Sequence, residues 1–190
     1  VRKLFDSRKA RREQGMFMLE GARLVQDALK ENAELHFVLF THSALEKAEN
    51  GEGKYGEALN LLENVRNAPR AFVIPDDLGE KLSATEGTQG IFAVCGIPDN
   101  GDFSDNVKSG GKYVVLHTLQ DPGNMGTVIR TADALGVDGI AAVGCCDIYN
   151  PKTVRSAMGA LMRMPVYEVS EDEMFAAFAG KNIRTFASVV

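Results

Sequence analysis

One stretch decides the fold of this chain: Leu119-Gln120-Asp121-Pro122-Gly123-Asn124-Met125-Gly126-Thr127-Val128-Ile129-Arg130-Thr131-Ala132-Asp133. An apolar run at 113–116 precedes it and is typical of a buried strand, whereas Val128, Ala132 and Leu135 recur at helical spacing after it. The pattern predicts a strand, a tight glycine turn and a helix. Gly123 and Gly126 let the backbone adopt conformations or close approaches that a Cβ atom forbids. Such a turn presents backbone N–H groups at a helix N-terminus, where an anion or a polar ligand is favoured.

Two polar side chains in this stretch are candidates for a functional site. Counting around the helix places Arg130 away from the apolar residues, on the face of Thr127 and Ala134, and we expect it to project over the turn beside Asn124. At the carboxyl end of a parallel sheet, an amide and a guanidinium group can form a polar site. An ordinary strand-to-helix turn, with Arg130 solvated and Asn124 bonded to its own backbone, explains the spacing equally well.

The pattern Asp121-Pro122-x-Asn124-x-Gly126-x-x-x-Arg130-x-Ala132 resembles the first signature of the SpoU (TrmH-type) RNA ribose methyltransferases of the SPOUT class. The resemblance implies a knotted α/β domain with a parallel sheet that works as a homodimer. It also implies methyl transfer from S-adenosylmethionine to a ribose 2′-hydroxyl of rRNA or tRNA, with Arg130 catalytic and Asn124 supporting it. Because a guanidinium group stays protonated, we expect Arg130 to clamp a phosphate or stabilise the developing alkoxide rather than to remove the proton.

The composition of the 190-residue chain is that of an ordinary globular protein, with 45% hydrophobic and 25% charged residues. No stretch is long and apolar enough to span a bilayer, and the N-terminus lacks the apolar core of a secretory signal. We therefore expect a cytoplasmic protein with no membrane partner. The length allows one domain or two small ones.

Cysteine and histidine spacing predicts neither a disulfide framework nor a metal site. The cysteines are odd in number, two of them are adjacent, and no histidine stands at ligand spacing from a cysteine or a carboxylate. The cysteines are Cys95, Cys145 and Cys146, and the histidines are His36, His42 and His117. We expect idle thiols in a reducing compartment, and thiol catalysis at Cys145 or Cys146 is disfavoured because neither has a histidine partner nearby.

Charge is distributed unevenly along the chain. Residues 1–15 carry six basic and two acidic side chains, a net charge of +4, whereas the whole chain carries −5 and the remainder therefore −9. A basic segment on an acidic body is typical of a local phosphate contact, because only charges near the phosphates release counterions. A solvated helix face is the alternative. The run Arg8-Lys9-Ala10-Arg11 with a following Phe-x-x-Glu-Gly resembles the start of the family's RNA-binding domain, which implies RNA contacts for Arg8, Lys9, Arg11 and Arg12.

The first half of the chain alternates helical and strand patterns. A short helix, a turn at Gly15 and a strand are followed by a helix at 22–31 and a strand at 35–40; Ser43 and Glu46 predict a capping box, and glycines at 50–56 predict a loop. A helix at 57–67, a strand at 71–74, a short helix at 75–82 and a strand at 91–94 complete it. Between the helix at 75–82 and the strand at 91–94, the stretch Ser83-x-Thr85-x-x-x-Gln89-Gly90 resembles a segment of the family. The resemblance gives these residues no chemical role. The resemblance makes residues 1–97 a ribosomal-protein-like RNA substrate-binding domain.

Residues 98–111 are polar and rich in helix breakers, which predicts a linker, and residues 112–190 form the predicted methyltransferase domain. Its second strand, at 139–143, is expected to run parallel to the first. Asn150 and Pro151 predict the start of a helix with Val154, Met158, Leu161 and Met162 buried. A strand at 165–169, a capping box from Ser170 to Glu173, a helix ending at Gly180 and a fourth strand at 183–190 follow.

The start of the helix after Asn150 is a second candidate site. Lys152, Arg155 and Ser156 lie there, and they could hold an RNA phosphate or form a solvated rim. The stretch Asn150-Pro151-Lys152-x-x-Arg155-x-x-Met158-Gly159-Ala160 matches another family segment, which implies RNA binding by Arg155.

The chain departs from the family at its end. The glycine- and glutamate-containing motif and the serine- and asparagine-rich motif, which in the family form the knot and most of the S-adenosylmethionine pocket, do not occur in it. We therefore expect an inactive, truncated piece of a longer methyltransferase, and assign no cofactor-binding residues. A non-catalytic RNA-binding or ribosome-associated module is the alternative function. A dinucleotide-binding protein is disfavoured, because neither Gly-x-Gly-x-x-Gly nor a Gly-Lys-Ser/Thr loop is present.

Overall fold

The computed structural model describes residues 1–64, 69–83 and 87–188, which form two α/β units. The N-terminal unit contains α1 (Arg2–Asp6), α2 (Arg8–Gln14), β1 (Met16–Glu20), α3 (Ala22–Lys30), β2 (Leu35–Thr41), α4 (His42–Glu49), α5 (Gly53–Asn64), β3 (Arg70–Ile74), α6 (Asp76–Leu82) and β4 (Ile91–Gly96). Its sheet has the order β1-β4-β2-β3, with β4 antiparallel to both neighbours and β2 parallel to β3. All residues of the central strand β4 are buried, which makes it the core of this unit.

The second unit contains α7 (Phe103–Asn106), β5 (Tyr113–His117), α8 (Pro122–Ala134), β6 (Gly139–Val143), α9 (Pro151–Ala157), a 3₁₀ turn (Ala160–Met162), β7 (Val166–Glu168) and α10 (Glu171–Gly180). Its three strands are parallel in the order β5-β6-β7. The predicted α/β class, with a small N-terminal unit followed by a parallel sheet, is confirmed. The carboxyl ends of the three strands meet at one edge, where the predicted site belongs.

Helix ends in both units follow the side chains that cap them. Gly15 ends α2 with φ 62°, and the Ser170 hydroxyl and the Glu173 carboxylate form the predicted capping box of α10. The capping box predicted at Ser43 is wrong: the Thr41 hydroxyl caps α4, and Ser43 binds the Asp76 carboxylate instead. Helix α5 begins at Gly53, earlier than predicted, because the glycines at 53 and 56 are accommodated within it.

Three predictions about the second unit are corrected. Leu135 follows the last residue of α8 and is 74% exposed, so the buried stripe of α8 runs through Met125, Ile129 and Ala132. Met158 takes a left-handed conformation with φ 48°, which ends α9 and leaves its side chain 58% exposed. Residues 183–188 are irregular rather than a strand, because an apolar run forms a strand only where a neighbouring strand accepts its hydrogen bonds. The rest of that predicted strand, the predicted helix end at 65–67 and the turn at 84–86 lie outside the described residues.

The two units pack directly against each other. Phe17 on β1 stacks on Tyr149 with ring centroids 4.9 Å apart, and burial raises the pKa of Tyr149. The predicted linker is also folded: Phe103 on α7 packs on Tyr167 and Phe178 of the second unit, at centroid distances of 5.2 and 5.5 Å. Over the residues that the structure describes, no helix combines the length and apolar character needed to cross a membrane.

Candidate active site and the adjoining face of the N-terminal unit

The signature stretch forms the start of α8. Asp121 caps the helix, since its Oδ1 accepts a hydrogen bond of 2.7 Å from the Asn124 N–H, and Pro122 occupies the first turn. That hydrogen bond and the nearby Lys152, whose Nζ lies 3.5 Å from Asp121 Oδ2, hold the pKa of Asp121 below its ordinary value of 3.8. Gly123 and Asn124 therefore lie in the helix rather than in a preceding turn. The turn itself lies at 118–121, where the Gln120 amide donates to the carbonyl oxygen of Gly144 at 2.8 Å.

Gly126 brings α8 into close contact with α9. A Cβ atom built on Gly126 would lie 2.5 Å from the carbonyl oxygen of Thr153 and 2.8 Å from the backbone nitrogen of Ala157. The two helix backbones approach so closely that only glycine fits. The close approach predicted for Gly126 is therefore observed, and its partner is α9.

Arg130 is exposed and leans on the end of α9. Its Nη1 lies 3.4 Å from both the carbonyl oxygen of Ser156 and the Sδ atom of Met158, which are long and weak contacts. Within the described part of the chain, the other N–H groups of the guanidinium have no partner and can meet a ligand from solvent. Arg130 thus stands where α8 meets the end of α9, and is fixed only loosely there.

The structure does not bring Arg130 beside Asn124. Both side chains are exposed, but six residues of α-helix separate them by about 9 Å along the axis and about 120° around it. The expected convergence of the two over a glycine turn was wrong, because Asn124 already lies in the first turn of α8 and the helical rotation between the two positions turns them to different sides. An RNA segment that contacts both residues must lie across the exposed face of α8.

Arg155 lies on the same end of α9 and faces the N-terminal unit. Its Nη1 is 3.7 Å from Oε2 of Glu20, whose side chain is only 6% exposed. Among the described residues, the Arg155 Nη1 atom has no hydrogen-bond acceptor. The Glu20 carboxylate accepts hydrogen bonds from the hydroxyls of Ser83 and Thr88. The Gln89 amide oxygen accepts from the Ala22 N–H at 3.2 Å. Ser83, Thr88 and Gln89 therefore support the junction between β1 and α3, where Glu20 faces α9.

The four basic residues predicted to bind RNA on α2 have three different environments. Lys9 is exposed and lies 3.7 Å from Glu13. The guanidinium groups of Arg8 and Arg12 bind the two oxygens of Glu168, Arg8 at 2.7 Å. Arg11 is 3% exposed. It donates to Asp147 Oδ2 at 2.6 and 2.9 Å and to the carbonyl oxygens at the end of α1, as an interdomain ion pair rather than an open phosphate contact.

A cleft of about 560 Å³ lies between α2 and the carboxyl edge of the parallel sheet; we call it the α2 cleft. Side chains of both units line it, including Arg8, Arg12, Gln120, Cys145 and Glu168. Sequence reasoning missed Glu168 and Asp147, since no local pattern shows which acidic residues meet a basic helix far away in the chain. A second cleft of about 870 Å³ lies between α10 and residues 97–104, and none of the predicted site residues lines it.

The thiols are poor nucleophiles in these surroundings. Burial raises the pKa of Cys95 to about 12, and burial also raises the pKa of Cys146. The Sγ atom of Cys145 contacts the carbonyl oxygen of Leu116 at 3.2 Å. Because the thiolate is the reactive form, this environment gives no support to thiol catalysis.

Comparison with known families covers nearly the whole chain. Residues 111–189 match the SpoU rRNA Methylase family, and residues 1–93 match the MRM3-like substrate binding domain. The second unit of the chain is therefore a SpoU rRNA methylase domain. The first match lies in the N-terminal unit and the second in the unit with the parallel sheet, and residues 94–110 lie between the two matches.

Named relatives agree with this assignment. The chain is 29% identical over 165 residues to the 23S rRNA (guanosine(2553)-2′-O)-methyltransferase RlmP of Bacillus subtilis, covering 86% of this chain and 58% of that protein. It is 30% identical over 193 residues to the human mitochondrial rRNA methyltransferase 3, covering 99% of this chain and 43% of that protein. The chain therefore spans about half the length of these curated relatives.

A solved SpoU methyltransferase has the same fold. The structure of AviRb from Streptomyces viridochromogenes in complex with the cofactor AdoMet superimposes with a TM-score of 0.78 at 26% identity, over 95% of this chain and 66% of that one. The superposition includes both units of the chain, because 95% coverage cannot be reached with one unit alone.

Proposed function

We propose that this chain provides the RNA-binding domain and part of the catalytic domain of an enzyme that transfers a methyl group from S-adenosylmethionine to a ribose 2′-hydroxyl of rRNA. The observation that carries the proposal is the tandem match of an MRM3-like substrate binding domain and a SpoU domain on one chain, with the signature residues Asn124 and Arg130 exposed on α8. Relatives named for rRNA support rRNA over tRNA as the substrate. They include enzymes named for guanosine and for uridine, so the base is left open.

Arg130 acts in this proposal on the charge that develops during the reaction. A ribose hydroxyl is a poor nucleophile, and in-line displacement at a methyl group depends mainly on positioning and electrostatics. The guanidinium is exposed and permanently charged, so it can clamp the phosphate next to the target ribose or stabilise the alkoxide. Asn124, at the first turn of α8, supports the same RNA segment through its amide.

Further RNA contacts are proposed for the basic residues around this face. Lys9, Arg8 and Arg12 lie on α2, and Arg155 lies on α9 next to the Ser156 carbonyl that Arg130 contacts. Arg11 is assigned a different task, because its guanidinium is buried and fully engaged with Asp147 and two carbonyl groups. It holds α2 in place while the neighbouring side chains meet RNA.

The methyl donor does not fit the α2 cleft. S-adenosylmethionine carries a sulfonium cation and an ammonium group, whereas two guanidinium groups and one carboxylate line this cleft. Like charges would oppose the cofactor there, and the same groups favour an anion. We therefore assign the α2 cleft to RNA and assign no residue of this chain to the cofactor.

Homodimer formation and a cytoplasmic location complete the proposal, and light scattering and cell fractionation test them.

The experiment is a methylation assay with the reading frame that encodes this chain, expressed in full. Tritiated S-adenosylmethionine and total rRNA are supplied, and the modified ribose is mapped. Arg130→Lys keeps the charge but loses the planar, bidentate donor set, and we expect at least a tenfold loss of turnover. Arg2→Lys is the matched control, because among the described residues the partner of Arg2 is Asp6, on the surface of α1. Unchanged turnover in Arg130→Lys would refute the role of Arg130, and RNA binding without any methylation would favour the non-catalytic module.

A further inference from the structure

The two exposed arginines of α2 share one carboxylate. Arg8 and Arg12 stand four residues apart on the same face of the helix, and each gives a guanidinium N–H to a different oxygen of Glu168. Glu168 is the last residue of β7 and lies at the carboxyl edge of the parallel sheet. In the α2 cleft, the Glu168 carboxylate therefore occupies the position where Arg8 and Arg12 would bind an anionic ligand.

This pair of contacts is open to exchange. The side chains of Arg8, Arg12 and Glu168 are 42%, 58% and 39% exposed, and ion pairs at such exposure contribute little to stability. The neighbouring Arg11–Asp147 pair is only 4% and 12% exposed, and breaking a buried pair is strongly unfavourable. Helix α2 can thus stay attached through Arg11 while Arg8 and Arg12 change partners.

A phosphodiester group matches the carboxylate that it would replace. Both are singly charged, both present two oxygens, and both accept bidentate hydrogen bonds from guanidinium groups. The cleft of about 560 Å³ leaves room for it within the size range of ordinary ligand sites. Once Glu168 is displaced, Arg8 and Arg12 together offer two positive charges to the RNA backbone.

We propose that an RNA phosphate competes with the Glu168 carboxylate for Arg8 and Arg12 in the α2 cleft, so that Glu168 lowers the RNA affinity of the chain. The proposal rests on the RNA-binding function proposed above. Glu168 acts through the two arginines and does not touch the reacting atoms. In the free protein, Arg8 and Arg12 pair with Glu168. In the RNA complex, they pair with the phosphate.

The test measures RNA affinity by fluorescence anisotropy with a fluorescein-labelled single-stranded RNA at several salt concentrations. We expect Glu168→Gln to bind RNA about three- to tenfold more tightly than the wild type with the same salt slope, because the competing charge is gone and the phosphate contacts are unchanged. Glu171→Gln is the matched control. It removes one negative charge close by, from a side chain that is 59% exposed and pairs with His117 rather than with arginine, and we expect affinity to change by less than about twofold.

A double-mutant cycle separates competition from a general charge effect. In Arg8→Gln/Arg12→Gln, we expect weaker binding and a salt slope smaller by about 0.7 for each lost contact. Adding Glu168→Gln to that variant should then leave the affinity unchanged, since nothing remains to compete for. An equal gain in this background, or unchanged or weaker binding by Glu168→Gln alone, would overturn the proposal. A wild type that binds no RNA would instead overturn the proposed function, and the proposal with it.

Discussion

At the scale of single residues, Asp121 links the signature stretch to its surroundings. Its carboxylate caps α8 through the Asn124 N–H and approaches Lys152 at the start of α9. Both contacts favour the ionised form, and the pKa of Asp121 is lowered from 3.8, with the backbone hydrogen bond as the larger cause. The strength of the cap therefore depends on pH, and Asp121 stabilises the first turn of α8 most when it is charged.

The sign of this dependence gives a prediction. Because the folded pKa lies below the unfolded one, the stabilising contribution of Asp121 is complete above pH 3.8 and is lost as the pH falls through the lowered folded value. Asp121→Asn keeps an acceptor for the cap but removes the titration. We expect the stability of the wild type relative to Asp121→Asn to shrink on acidification below pH 3.8, measured by urea unfolding at a series of pH values. A difference that stays constant down to pH 2 would contradict it.

Residue type alone does not show which basic side chains of α2 face solvent and which are buried between the units. Lys9 and Arg11 are two positions apart, which turns them to opposite sides of the helix, one toward solvent and one into the contact between units. The sequence correctly placed a basic helix before Gly15 and a strand after it. The partners of that helix, Asp147 and Glu168, lie more than 130 residues away in the chain, and only the tertiary fold brings them together.

At the scale of the elements, the contact between α8 and α9 positions the candidate site. Gly126 allows the two helices to touch, and the end of α9 then supplies the Ser156 carbonyl and Met158 sulfur that contact Arg130. Any change that separates the helices moves Arg130 relative to Arg155. The packing at Gly126 is thus a structural requirement of the site, although Gly126 itself carries no functional group.

Gly126→Ala tests this packing. In an open helix, alanine would stabilise by up to about 1 kcal/mol relative to glycine. Here the new Cβ atom would meet backbone atoms of α9 at 2.5 and 2.8 Å, and overpacking of this kind costs about 1–3 kcal/mol. We expect a net loss of stability in thermal unfolding followed by circular dichroism. Gly180→Ala on α10, where nothing lies within 4 Å of the new atom, should be neutral or stabilising; equal effects in the two variants would argue against the close contact.

Local signals predicted most elements and some of their ends. The caps at Asn150 and Ser170 were correct, because the side chain that makes each cap lies within three residues of its acceptor or donor. Predictions failed where a distant residue decides the outcome. Ser43 binds Asp76 of another helix, and residues 183–188 would need a partner strand to become one. The face of α8 was also misjudged, since Leu135 falls just beyond its last turn.

At the scale of the whole molecule, the two units form one structure through a mixed interface. The aromatic contact between Phe17 and Tyr149 gives it an apolar centre, and the buried Arg11 and Asp147 lie with Tyr149 along a cleft of about 380 Å³. Exposed pairs such as Arg8 with Glu168 surround this pair and can be exchanged at little cost. The arrangement fixes the orientation of the N-terminal unit and leaves its outer charges available.

The buried pair should therefore account for much of the coupling between the units. Arg11→Ala leaves the Asp147 carboxylate buried without its cation and the carbonyl groups of Leu4 and Phe5 without their donor, and we expect a loss of about 3–5 kcal/mol in the free energy of unfolding by urea. Arg2→Ala, which breaks a pair with both side chains 58% exposed, should cost less than about 1 kcal/mol. Since the two partners act on each other, Arg11→Ala/Asp147→Asn should be less destabilised than the sum of its single variants. If Arg11→Ala proved no more harmful than Arg2→Ala, the interdomain pair would be incidental, and the orientation of α2 would have to depend on the apolar contact alone.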